Sequence, residues 1–209
     1  KVLILHGNRD IKSLKGLFMK AWEDHYKGII EYQPNSRLLS VNAAARSAEL
    51  EFGDVKADVL NVIPPMRAGR LADFLGAPLA NDRWVDVDFR TMEVKGVAGV
   101  HVLGDATLSA PAMPKSGHMA NQHAKVAAAA IIEMLAGREP NPAPVMMNTC
   151  YSFVDGENVV HVASVHQWDK DKQTVIAVPG SGGVSAVASK LEGRHAMSWA
   201  HNIWADMLA

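Results

Sequence analysis

The chain has one cysteine, Cys150, and one dense set of groups able to grip a charged ligand: Gly104-Asp105, then Met113-Pro114-Lys115-Ser116-Gly117. A lone thiol is inert packing when buried and a nucleophile when ionised and reachable. Gly104 allows close backbone approach, and Asp105 suits hydrogen bonds from ribose or ribityl hydroxyls. Lys115, with the helix start that follows it, suits negative charge on a reduced ring. The plainer reading of these residues is a strand-to-helix turn with a capping Asp.

Stepping outward, Val100 to Leu103 reads as a buried strand stopped at Gly104-Asp105, and Ala120 to Leu135 carries an alanine-rich helical period. Open α/β sheets bind ligands at the carboxyl ends of strands, and a helix N-terminus offers N–H groups to anions. An anionic or electron-rich cofactor fits such a place. Upstream, Lys1 to Leu5 reads as a strand and Ser13 to Tyr26 as a helix with Leu17, Phe18 and Trp22 in its core face. No Gly-x-Gly-x-x-Gly is present, so NAD binding is unsupported. Short strands are expected over 29–32, 37–41, 47–52 and 55–62, with Gly53-Asp54 as a hairpin turn. The last runs into Ile63-Pro64-Pro65, a stiff loop able to form a flat apolar wall, before a helix from Gly69 to Leu75. Trp84 to Asp88 alternates like an edge strand.

Beyond the helix, residues 137–144 form a proline-rich connector. Strands are expected over 148–154, 159–168 and 173–178. Pro179 to Gly183 reads as too flexible for regular structure. A helix over Ala186 to Leu208 places Trp199, Ile203 and Met207 in one stripe.

Composition limits the rest. With 48% hydrophobic and 21% charged residues the chain is of ordinary globular type, and a net charge of −1 offers no general attraction to nucleic acid or anionic membrane. No run reaches the roughly 18 apolar residues of a membrane span. The single cysteine rules out an internal disulfide, and the histidines are scattered, so no metal site is expected.

The collinear segments KVLIL, KGLFMKAWE, GIIEYQPNS, DVLNVIPPMRAG, VLGDA, AMPKSG, NTCYS, VPGSGGVS and HAMSWAHNIWADM resemble the flavoprotein subunits of flavocytochrome c sulfide dehydrogenases along essentially the whole chain. That resemblance implies an α/β fold: a partial two-dinucleotide-binding-domain, disulfide-reductase-like flavoprotein with a small C-terminal α+β domain. It implies a remainder of the second, NAD-type domain over 1–97, a C-terminal segment of the FAD-binding domain over 98–137, and a C-terminal flavin-binding and interface domain over 138–209. The glycine-rich N-terminal half of such proteins is missing from this sequence.

The cofactor implied is FAD, held by Gly104, Asp105, Met113, Pro114, Lys115, Ser116, Gly117 and Asn121, with Pro64, Pro65 and Trp199 near its ring. Cys150 matches the later of two redox-active cysteines. The activity implied is sulfide oxidation with electrons passed to a c-type cytochrome subunit, in the periplasm. Other readings are a quinone-reducing relative, or a flavin-free interaction module.

Overall fold

A βαβ unit opens the computed structural model of the protein, which describes residues 1–208. Strand β1 (Val2–Leu5) pairs in parallel with β2 (Ile30–Gln33), and helix α1 (Lys15–His25) makes the crossover that parallel pairing requires. Only Ala21 of α1 is fully buried; Phe18 and Trp22 are half-buried and stack at 6.2 Å, with Trp22 packing on Tyr32 at 5.7 Å. Exposed Lys20–Asp24 and Glu23–Lys27 pairs, one turn apart, support the outer face.

The meander that follows is antiparallel: β3 (Leu38–Asn42), β4 (Ser47–Leu50) and β5 (Gly53–Lys56). Here the expected hairpin turn is displaced. Gly53 and Asp54 are already paired with Leu50 and Glu49, so the chain reverses at Glu51-Phe52. The helix expected from Gly69 is a short 3-10 turn, Arg70–Phe74. Strands β6 (Val87–Asp88) and β7 (Glu93–Val94) form a two-residue ladder, locked by Arg90, which forks onto Asp88 and stacks over Trp168 at 4.7 Å.

The buried strand expected over 100–103 does not form. His101 bridges to Glu93 and Val102 donates to Met92, no second strand lies on the other edge among the described residues, and Leu103 is exposed. The partner on that edge, β7, is only two residues long, so pairing stops at a single bridge and the segment stays irregular. Helix α2 (Gly117–Leu135) starts a turn earlier than its alanine pattern suggests, because Ser116 caps it by accepting the Met119 N–H at 3.1 Å.

Strand β8 (Val145–Phe153) pairs along its whole length with the long β9 (Val159–Asp169), whose other edge carries β10 (Thr174–Ala177) and β11 (Gly183–Val184). Of the segment expected to lack regular structure, Pro179 to Gly182 is turn and irregular chain, and only Gly183 enters a strand, pairing with Ala163 while Val184 pairs with Val162. Helix α3 (Lys190–Leu208) packs on β9; Trp199 and Ile203 are half-buried, whereas Met207 is exposed and leaves the stripe incomplete.

One hydrophobic cluster joins Ala68, Val85, Phe89 and Met92 to Met113, Met119 and Ala127, and reaches Met146 and Val175. It crosses both divisions expected from the sequence, at 97/98 and 137/138. A second, smaller cluster ties Ala21 of α1 to Val154 and Val160, and the Tyr26 hydroxyl donates to the Val154 carbonyl at 3.0 Å.

Candidate functional site

Three features meet at the first turn of α2. Lys115 faces an open cleft of about 580 Å3, Ser116 reaches Cys150 through Asn148, and His118 lies against Trp199. Pro64, Pro65, Arg67, Arg70, Trp84 and Asp105 line the cleft with Lys115. Val85 runs beside Ala106 to Leu108, accepting from Leu108 and donating to Ala106, and this brings Trp84 under the loop.

Lys115 Nζ sits 3.8 Å from the Trp84 ring centroid and donates to the carbonyls of Asp105 at 2.8 Å and Thr107 at 2.5 Å. Burial lowers its pKa from the ordinary lysine value, with the nearby Asp105 charge opposing. Gly104 holds a left-handed backbone (φ +69), and a Cβ there would lie 3.2 Å from the Cβ of Ala120. Loop and helix are thus pressed together, as a close-approach position needs.

The remaining expected residues are distributed unevenly. Met113 is buried in the main cluster, so it supports the cleft instead of lining it. Pro114 is half-buried in the turn before the cap. Gly117 opens α2, and Asn121 donates its amide to Asp206 at the end of α3, 2.9 Å away.

Around the thiol the donors are ordered. Because Ser116 Oγ accepts the Met119 N–H, its own proton goes to Asn148 Oδ1 at 2.5 Å. Asn148 is buried, and this fixes its Nδ2 as the donor to Cys150 Sγ at 3.3 Å. His118 Nδ1 accepts the N–H of Thr149 at 3.0 Å, satisfying an outward donor on the edge strand β8. That leaves the proton of neutral His118 on Nε2, and burial lowers its pKa. Its ring meets Trp199 edge-on at 5.4 Å, and Tyr151 meets Trp199 at 5.9 Å.

Trp84, His118, His123 and Asn148 escaped the sequence reading. His123 is buried in α2 and accepts the Gly104 N–H on Nδ1 at 3.1 Å. Desolvation, with Lys115 and His166 adding repulsion, lowers its pKa from 6.5 to about 4. The unfolded chain takes up this proton near the higher value and the folded chain near the lower one. Stability is therefore full above 6.5 and falls as pH drops towards 4. A loss on the order of 3 kcal/mol is expected across that window. Urea midpoints at several pH values check it, and replacing His123 by Gln should flatten the slope.

No group of three or more His, Cys, Asp or Glu side chains gathers as a metal site among the described residues, and no described helix is long and apolar enough to cross a membrane. The cleft lining fits a flavin nucleotide: it pairs the apolar Pro64, Pro65, Met66 and Trp84 with the cationic Arg67, Arg70 and Lys115.

Comparison with known families gives two matches. Residues 142–208 match the family model for the flavin-binding domain of flavocytochrome c sulphide dehydrogenase. Residues 1–64 match the model for the central domain of the sulfide dehydrogenase (flavocytochrome c) flavoprotein chain. Among solved structures, reduced Bacillus anthracis CoADR-RHD is similar over 88% of this chain and 39% of its own, at 14% identity and a TM-score of 0.47. A chain of the covalent putidaredoxin reductase–putidaredoxin complex is similar over 78% and 47%, at 13% identity and a TM-score of 0.47. The chain thus spans less than half the length of either.

Proposed function

This chain belongs to the flavoprotein family of flavocytochrome c sulphide dehydrogenase, with FAD as its cofactor, and on that premise we propose that it serves the oxidation of sulfide through Cys150. The observation that carries the reading is the start of α2: Lys115 on the cleft and Ser116 on the Asn148–Cys150 chain are adjacent residues. A flavin in the cleft and a sulfur on β8 are then served by one helix terminus.

Bound FAD supplies a two-electron acceptor that can release electrons singly. The protein's part is to place and polarise the groups around it. Cys150 forms one sulfur of a disulfide; the other must come from outside this sequence, which has a single cysteine. Hydrosulfide attacks one sulfur, the S–S bond breaks, and the released thiolate becomes the electron donor. Asn148 Nδ2–H favours negative charge on Cys150 Sγ, and Lys115 favours negative charge in the cleft. Trp199, held between His118 and Tyr151, screens the thiol side from water. Asp105, Pro64 and Pro65 line the cleft, Gly104 sets the turn behind Asp105 against α2, and Met113, Pro114, Gly117 and Asn121 hold the connection that carries Lys115 and Ser116. Electrons leave to a c-type cytochrome partner in the periplasm, a reading that the family match supports.

The test is the absorbance spectrum of the flavin-loaded protein before and after anaerobic addition of sulfide. Bleaching of the flavin bands is expected; bands indifferent to sulfide would refute the substrate. A second expectation concerns Lys115. Its replacement by Met removes a positive charge beside the cleft and should shift the flavin potential negative by tens of millivolts, where ~30 mV equals a tenfold change for a two-electron couple. Redox titration against reference dyes measures it, and an unmoved potential removes Lys115 from this role.

A further inference from the structure

The imidazole of His123 is an expensive way to fill a core. The side chain is 2% exposed, and its ring lies 5.7 Å from that of Phe89 in the main cluster. Its Nδ1 accepts the N–H of Gly104 at 3.1 Å, which puts the proton of the neutral ring on Nε2. That Nε2 has no hydrogen-bond partner among the described residues. A buried donor without a partner is a penalty that leucine at the same position would not carry. What the histidine supplies and leucine cannot is an acceptor for one backbone amide.

That amide begins the turn lining the cleft. With Gly104 at φ +69 its N–H is received on α2 by His123, and no strand among the described residues offers another acceptor. Beyond Gly104, side chains hold the rest of the turn. Thr107 Oγ1 donates to the Gly104 carbonyl at 2.8 Å, and Lys115 holds the carbonyls of Asp105 and Thr107.

We propose that His123 is a positioning residue for cofactor binding, holding the Gly104–Asp105 turn in its receiving geometry through the Gly104 amide. The proposal rests on the cleft being the flavin site. The hold exists only with the ring neutral, since a protonated Nδ1 cannot accept. Lys115 from the preceding loop and His166 from β9 both oppose a positive charge there.

The test compares wild type, His123→Leu and His123→Gln in the full 209-residue chain. FAD itself is the probe, titrated by fluorescence, and amide exchange is followed over residues 100–108 and over β8–β9. In the Leu variant, exchange at Gly104 should rise and FAD affinity fall, each about tenfold, the scale of one hydrogen bond. Protection of β8–β9 should stay as in wild type. Gln can present Oε1 to the same amide and should recover most of both losses. Unchanged exchange at Gly104 in the Leu variant overturns the proposal, and so does a Gln variant as impaired as Leu.

Should the Leu variant fail to fold, the nitrogen shifts of His123 in wild type decide. A neutral ring protonated on Nε2 and coupled to the Gly104 amide supports the proposal, and any other state overturns it. Wild type that binds no FAD overturns the cofactor role together with the flavin reading. The exchange data then distinguish this from a failure of the His123 contact, which would show as unchanged Gly104 protection on substitution.

Discussion

Replacing Cys150 by Ser leaves the flavin bands of the loaded protein unbleached by sulfide, while dithionite still reduces them. The hydroxyl keeps the size of the side chain but cannot enter a disulfide, so the exchange step has no sulfur on β8 to use. A fall of at least about a thousandfold in the anaerobic rate of sulfide-dependent bleaching is expected, the scale on which loss of an essential nucleophile acts. Stopped-flow absorbance measures it. Bleaching at the wild-type rate would exclude Cys150 from the reaction and leave the family membership untouched.

The thiol's surroundings sharpen the same expectation. Asn148 Nδ2 donates to Cys150 Sγ, and its orientation is set by Ser116, which is itself set by the Met119 N–H. Replacing Asn148 by Leu removes the donor while keeping similar bulk in a buried position. Alkylation of Cys150 by iodoacetamide at neutral pH should slow roughly tenfold, in line with one hydrogen bond to a charged group. Equal alkylation rates would mean that the contact does not polarise the sulfur.

Much of this arrangement was legible in the sequence where the signal was local. The alanine period over 120–135 specifies α2, and the alternation over 148–168 specifies the β8–β9 hairpin. The element that failed, Val100 to Leu103, has the composition of a strand but meets only the two-residue β7, through a single bridge. Pattern reports what a segment can do and not what lies next to it. Trp84 is hidden for the same reason: only the pairing of Val85 beside Ala106 to Leu108 brings it beneath Lys115.

His123 is a different case, because its cue was present. The buried face of α2 runs Met119, His123, Ala127, Ala130 at helical spacing, and the one polar member of that stripe is the residue that reaches the cleft turn. Asn121, chosen from the motif, lies off that stripe and points to Asp206. A polar residue on a buried face says more about a site than a polar residue near a motif.

Gly182 carries the second large effect, at the point where the irregular 179–182 turn meets β9. A Cβ added there would meet the carbonyl carbon of Ala163 and the Cα of Ser164, each at 2.9 Å, and crowd the Ala163 oxygen more closely still. All are backbone atoms of β9, so no side chain can swing aside. Replacing Gly182 by Ala must push the 182–184 segment off the sheet. It takes with it the pairing of Gly183 and Val184, and the contacts of Ser185 with the His161 N–H at 2.7 Å and with Glu192 at 3.1 Å. A destabilisation of about 3 kcal/mol is expected from such overpacking against backbone. For a chain of this size that lowers the melting temperature by roughly 5–10 °C. Gly183 is the internal control: it has no atom within 4 Å of an added Cβ and no positive φ, so Gly183→Ala should melt within about 2 °C of wild type. Calorimetry on the two variants decides the matter, since equal melting temperatures would mean that the segment yields without cost and that rigidity at Gly182 is not what holds the β9 edge.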